Sequence, residues 1–305
     1  MHVDEHTISL DDSPVYYRIA EAATGAPPLY LHGIPTSSDD WTEFLARTGG
    51  LAPDLIGFGR SGKGEHLDFS LDGLTDFVED FLAHLDVGEV QIVGHDWGAA
   101  VALKFAHRHP ERVRRLVLCN APALVEGFAW PRFVRWWQIR GVGEMLMGAT
   151  TRTVLTRALR QGCVQPAAWP KARIDAVWDQ FDQGTQRAIL RLVRSAQDNT
   201  IGDGGPRQNG GEEHGAAETD SPRGTDGPAG IEPAGAERAS ANGHAAAAET
   251  TLIWGEKDPW YPPALADAYA TRLPGARVER VANAGHWPWL DRPEVVERVA
   301  ALLER

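Results

Sequence analysis

The sequence predicts an α/β fold with a mostly parallel central sheet and an inserted helical cap, on three observations. The first third of the chain alternates short β-rich runs with helix-period patterns, as βαβ units do. From about 122 to 197 that alternation gives way to arginine-rich helical patterns, and after residue 250 it resumes.

Taken in order, Thr7 to Leu10 and Val15 to Ile19 form an opening hairpin, and Pro28 to His32 is a buried strand running into His32-Gly33-Ile34-Pro35. Leu74, Phe77, Val78, Phe81, Leu82 and Leu85 recur at the i, i+3, i+4, i+7 spacing that gives a helix one apolar face. Val90 to Val93 is a second buried strand, ending at Gly94. Ala99 to Ala106 is a small-residue helix suited to close packing on a sheet, and Arg115 to Cys119 is the next strand. Near the end, Thr251 to Trp254 and Val278 to Val281 read as strands. Val295, Val296, Val299, Leu302 and Leu303 give a closing amphipathic helix with Pro293 at its first turn.

This divides the chain into a core of residues 1–121 and 250–305, a helical cap at 122–197 carrying Trp130, Trp136, Trp137, Trp169 and Trp178, and an insertion at 198–249. The insertion is rich in Gly, Ala, Pro, Asp and Glu, and no aromatic residue occurs between Phe181 and Trp254. Such a stretch buries too little apolar surface to offset its ordering entropy, so it is expected to be disordered and to carry no catalytic group.

Composition excludes several functions. A net charge of −12 argues against a nucleic-acid backbone as partner. No apolar run approaches the roughly 18 residues of a membrane span, and Met1-His2-Val3-Asp4-Glu5 lacks the basic start of a secretory signal, so a cytoplasmic protein without membrane association is expected. Cys119 and Cys163 have no metal-ligand neighbours and read as buried free thiols; no metal site is expected. Lysine is confined to Lys63, Lys104, Lys171 and Lys257, a bias that fits either a salt-rich cytoplasm or a high-GC genome, with ordinary surface solvation the simplest reading.

The chemistry centres on Gly94-His95-Asp96-Trp97-Gly98, set between an apolar strand and a small-residue helix. Glycines on both sides allow the sharp turn that lifts a nucleophile above a sheet, the position that serine holds in G-x-S-x-G. With Asp96 there, the attacking atom is a carboxylate oxygen. Attack on a carbonyl would give an anhydride, whereas attack on a saturated carbon gives an ordinary ester, so the substrate needs an sp3 carbon bearing a leaving group or a strained ring. An Asp at that place could instead cap the following helix. Hydrolysis of the ester then needs a base, and His286 in Ala284-Gly285-His286-Trp287-Pro288 follows the last strand. Asp258, in Trp254-Gly255-Glu256-Lys257-Asp258-Pro259, follows the preceding strand and is favoured over Glu256 as the acid that orients the imidazole. The oxyanion formed on Asp96 calls for donors at that side chain, and the backbone N–H groups of Ile34 and Trp97 are placed for it.

Together, His32-Gly33-Ile34-Pro35-Thr36-Ser37-Ser38-Asp39-Asp40-Trp41, Asp54-Leu55-Ile56-Gly57-Phe58-Gly59-Arg60-Ser61-Gly62 and Gly94-His95-Asp96-Trp97-Gly98 resemble the haloalkane dehalogenase and epoxide hydrolase superfamily, over about residues 5–197 and 250–305. The resemblance implies an α/β-hydrolase fold, no cofactor, and a small neutral apolar substrate that reacts with water. In haloalkane dehalogenases a tryptophan after the nucleophile donates its indole N–H to the leaving halide, a position matched by Trp97. The family's second halide donor is an Asn directly after His-Gly, where this chain has Ile34, or a cap tryptophan, for which Trp130, Trp136, Trp137 and Trp169 are candidates. Epoxide hydrolases of the fold protonate the opening ring with cap tyrosines, and Tyr16, Tyr17, Tyr30, Tyr261 and Tyr269 all fall outside the cap. Trp97 also stands where enzymes acting on halogenated acids carry an arginine, which disfavours a charged acid substrate. The first expectation is therefore carbon–halogen cleavage of a neutral haloalkane. Epoxide hydrolysis through the same ester is the alternative, and a luciferase-like or ligand-binding protein on the same fold is a further one.

Overall fold

The computed structural model describes residues 1–22, 25–122, 128–196 and 248–304. Eight strands form one sheet in the order β1-β2-β4-β3-β5-β6-β7-β8. Strands β1 (Asp4–Leu10) and β2 (Ser13–Ala20) make the expected antiparallel hairpin, and β2 also pairs antiparallel with β4 (Gly50–Pro53). From β4 onward every pairing is parallel, through β3 (Pro28–Leu31), β5 (Val90–His95), β6 (Val113–Cys119), β7 (Glu249–Gly255) and β8 (Arg277–Val281).

Helix α1 (Thr42–Thr48) joins β3 to β4, and α2 (Leu71–His84) follows β4. The α2 helix is the amphipathic segment predicted from its apolar spacing; Ser70 caps it by accepting the Gly73 N–H at 3.0 Å. Helix α3 (Trp97–Arg108) crosses from β5 to β6, packed through Ala99, Ala100 and Ala102, all fully buried. Between β6 and β7 the described residues are helical: α4 (Arg132–Gln138), α5 (Val142–Gly148), α6 (Arg152–Gln161), α7 (Lys171–Gln180) and α8 (Gln183–Ser195). Helix α9 (Ala264–Arg272) precedes β8, and a short α10 (Pro288–Asp291) leads into the closing α11 (Glu294–Leu303).

Besides the one-turn α10, three elements escape the sequence pattern. Strand β4 is four residues flanked by glycine and ended by proline, too short for a period to show, and α1 and α9 carry few apolar residues at helical spacing. One predicted boundary also moves. Glu249, placed in the insertion, opens β7, because it pairs in register with Arg115 and its carboxylate meets the Arg115 guanidinium at 3.0 Å. The expectation of disorder for the rest of 198–249 falls on residues that, apart from Ala248, lie outside those described. No helix among the described residues is long and apolar enough to cross a membrane.

The sheet places the site. Leu31 is in register with Gly94, so the turn after β3 and the turn after β5 emerge side by side. This requires glycine at position 98, where a Cβ would come within 2.2 Å of the Leu31 carbonyl oxygen. Backbone cannot yield as a side chain can. Gly98→Ala is therefore expected to lower folding stability by roughly 1–3 kcal/mol, the usual range for overpacking. Chemical denaturation should show an earlier midpoint with an unchanged slope; a wild-type midpoint would mean that α3 is not packed this tightly.

Candidate active site

Asp96 sits between β5 and α3 with φ 50° and ψ −123°, a left-handed conformation that non-glycine residues rarely hold. Its side chain makes no cap to α3, so the helix-capping role is not the one it plays. The carboxylate turns instead toward the β3 loop. Oδ2 accepts the Ile34 N–H at 2.9 Å, and the Trp97 N–H lies beside the carboxylate. Gly33 lets the loop come this close, since a Cβ there would lie 2.5 Å from the Asp96 Cβ and 2.7 Å from Oδ2. Both backbone N–H groups named from the sequence thus lie at this side chain. His32 fixes the same loop from beneath, accepting the Leu55 N–H on Nε2 at 2.9 Å and bonding the Gly33 carbonyl through Nδ1 at 2.8 Å.

His286 is 1% exposed and reaches Asp96 from the loop after β8. Its Nδ1–H donates to Asp258 Oδ2 at 2.8 Å, which leaves Nε2 facing Asp96 Oδ1 at 4.0 Å. Asp258, in the loop after β7, is held by four donors: His286 Nδ1, Asn120 Nδ2 at 2.7 Å on the same oxygen, and the N–H groups of Trp260 at 2.8 Å and Tyr261 at 3.0 Å on Oδ1. The competing acid, Glu256, is exposed. The structure therefore brings Asp96, Asp258 and His286 together, from three loops at the C-terminal ends of parallel strands, where α/β sheets place their sites.

Electrostatics follow from burial and pairing. Burial pulls the His286 imidazole down, but the Asp258 carboxylate and its hydrogen bond, with Asp96 and Asp40 adding to them, outweigh this and hold it above its ordinary value. Burial raises Asp96 above the usual carboxylate value, against the opposing pull of His286 and of the Ile34, Trp97 and Tyr261 donors. Asp40 is itself pushed up to about 6 by burial, with Arg173 of α7 at 3.4 Å pulling the other way.

A cavity of about 530 Å³ opens above Asp96, lined mainly by apolar side chains of the core loops and of α4, α5, α6 and α8. Of the cap tryptophans put forward as halide donors, Trp136 and Trp137 line it. Trp130 stands behind Trp97, stacked at 5.6 Å and 14°, and Trp169 is fully buried edge-on against Trp287, away from the lining. Trp97 lines the cavity at 2% exposure, and among the described residues no protein group accepts from its indole N–H. Trp260 and Trp287 line it from the core.

Sequence reasoning missed three residues. Asn120 stands at positive φ after β6, with its Oδ1 on the Gly255 N–H at 3.1 Å and its Nδ2 on Asp258, a pairing that no local pattern signals. Asp291 holds the histidine loop by accepting the N–H groups of Gly285, Val164 and Gln165 at 2.8–2.9 Å. Tyr261 was set aside because it lies outside the helical segment; the structure nevertheless brings its phenol to the Asp96 carboxylate. Its position three residues after Asp258 was the available signal.

The family model for the alpha/beta hydrolase fold matches residues 29–293. The chain belongs to the alpha/beta hydrolase fold family. Within it, the chain is 38% identical over 198 residues to a haloalkane dehalogenase of Mesorhizobium japonicum, a match covering 61% of this chain and 63% of that one. It is 32% identical over 148 residues to epoxide hydrolase 1 of Caenorhabditis elegans, covering 43% of this chain and 36% of the relative. The match thus spans less than two thirds of either protein. The fold superposes on haloalkane dehalogenase DbeA from Bradyrhizobium elkani with a TM-score of 0.73 at 22% identity, covering 99% and 98% of the two chains.

The site's electrostatics predict a titration. Because Asp258 stabilises the imidazolium, His286 should stay protonated to a higher pH than an ordinary histidine, and Asp258→Asn should lower its pKa. Imidazole NMR against pH reads this directly. An unchanged midpoint in Asp258→Asn would show that the carboxylate does not control the base.

Proposed function

We propose that this chain is a hydrolase that cleaves the carbon–halogen bond of a neutral haloalkane through an ester on Asp96. The observation that carries the reading is a buried carboxylate at the elbow, with the Ile34 N–H on one oxygen, the Trp97 N–H beside the carboxylate and the other oxygen facing a histidine. A serine in this frame would be suited to acyl transfer; an aspartate is suited to displacement at saturated carbon. Asp96 attacks carbon in line with the halide, the halide departs toward the Trp97 indole N–H, and an alkyl ester forms. His286 Nε2 then takes a proton from water, whose oxygen adds to the carboxylate carbon. The developing oxyanion on Oδ2 meets the Ile34 and Trp97 N–H groups, each donor of this kind contributing about 3 kcal/mol in other hydrolases. Asp258, fixed by its four donors, stabilises the imidazolium.

The mainly apolar lining of the cavity, in which Arg157 is a charged exception, supports an uncharged substrate. The match to a haloalkane dehalogenase supports the same substrate class. Opening of an oxirane by the same ester is the second reading, favoured by the phenol of Tyr261 beside the carboxylate and by the match to an epoxide hydrolase.

A panel of bromoalkanes and terminal epoxides, assayed for bromide and diol, separates the two. Bromide release is expected, and Trp97→Phe should slow it by roughly 100-fold, the effect of removing a preorganised donor from a leaving charge while keeping its bulk. In wild type, bromide should also quench part of the tryptophan emission saturably, a component that Trp97→Phe removes. Diol formation without bromide release would assign the oxirane reaction instead, and unchanged release in Trp97→Phe would mean that Trp97 does not meet the leaving halide.

A further inference from the structure

Tyr261 is clamped at both ends of its peptide: its N–H donates to Asp258 Oδ1 at 3.0 Å and its carbonyl accepts the Trp254 indole N–H at 2.8 Å. The ring packs 5.4 Å from that of His286, is 5% exposed, and lines the cavity beside Asp96. The phenol lies beside the Asp96 carboxylate and acts on its charge. Burial, with the Asp96 charge, holds it well above the ordinary tyrosine value, so it stays a donor.

The two carboxylate oxygens face opposite ways. Oδ2 lies against Gly33 and the Ile34 N–H, and Oδ1 lies on the His286 side, from which Tyr261 also approaches. We propose that Tyr261 donates to Oδ1 and is a catalytic residue for the second half of the reaction, supplying the proton to the departing alcohol. The proposal rests on the Asp96-ester reading and holds for either substrate class. In the first half, Oδ1 bonds to the substrate carbon and the bond to the leaving group breaks, its electron pair going with that group. Water then adds to the Asp96 carboxyl carbon, giving one proton to His286 Nε2 and moving the C=O pair onto Oδ2. When the adduct collapses, C=O re-forms at Oδ2 and the bond to Oδ1 breaks. Oδ1 leaves as the alcohol oxygen, taking the Tyr261 phenolic proton. The new carboxylic acid returns a proton to the phenolate, and the imidazolium releases its own to solvent. The sum is RX plus water giving ROH, a proton and X⁻.

A donor on Oδ1 acts with opposite sign in the two halves: it makes the carboxylate a poorer nucleophile and the ester oxygen a better leaving group. Rapid-quench kinetics of Tyr261→Phe with 1-bromobutane should therefore show a halide burst as fast as wild type or several-fold faster. Steady-state turnover should be roughly 100-fold slower, at the low end for loss of a general acid. The butyl ester should accumulate as a mass increase of the intact protein. Burst amplitude counts active sites, so partial misfolding does not alter either rate. With 1,2-dibromoethane, whose product alcohol is more acidic, the turnover defect should shrink. A burst and a turnover slowed together, or a turnover left at the wild-type rate, would overturn the proposal. An unlabelled Asp96 peptide after a single wild-type turnover in H2(18)O would instead overturn the ester reading on which it stands.

Discussion

The hydrogen bond from the Ile34 amide to Asp96 Oδ2 joins the turns that end two neighbouring parallel strands, and the rest of the site is arranged around it. Asp96 holds a backbone conformation that is unfavourable by roughly 1–3 kcal/mol for a residue with a side chain. The Ile34 and Trp97 amides offset part of this, and so does the N-terminus of α3, whose first residue follows Asp96 and whose dipole favours negative charge there. The same three features serve a second end. In the proposed reaction, a frame that stabilises the resting carboxylate would also stabilise the oxyanion formed from it, without reorganisation when the charge moves.

The base depends on that frame at one remove. As the proposed base, His286 needs Nε2 to face the carboxyl carbon, and three contacts hold the residue in place: its Nδ1–H on Asp258, its carbonyl accepting from His95 Nε2 at 2.8 Å, and its N–H on the Gly162 carbonyl at the end of α6. The last contact makes the helical segment a support for the base as well as a wall of the cavity. Asp291 ties the histidine loop and the chain after α6 to a single carboxylate. A shift of α6 would be transmitted to His286 through backbone rather than through substrate.

Much of this was legible in the residues. The parallel core could be read because its strands are short apolar runs and α2 has a clear 3.6-residue period, and Asp96 because flanking glycines leave few other uses for such a turn. His286 and Asp258 were legible from their order after the last strands. Strand β4 was not, since four residues ending in proline have no period, and its place comes from pairing with β2 and β3. Asn120 and Tyr261 were hidden for a related reason: both act across tertiary distance, Asn120 on a carboxylate 138 positions away. Trp169 misled in the opposite direction, because composition marks a tryptophan as present but not whether it faces a cavity or, as here, the edge of Trp287.

The account's central claim is that Asp96 carries the substrate as an ester, and isotope transfer in a single turnover tests it most directly. With enzyme in excess over a bromoalkane in H2(18)O, water attacks the carboxyl carbon of Asp96, so the heavy oxygen should enter the Asp96-containing peptide and the first-formed alcohol should carry an oxygen from the protein. Heavy oxygen in the alcohol, with an unlabelled Asp96 peptide, would mean that water attacks the substrate directly and would contradict the account.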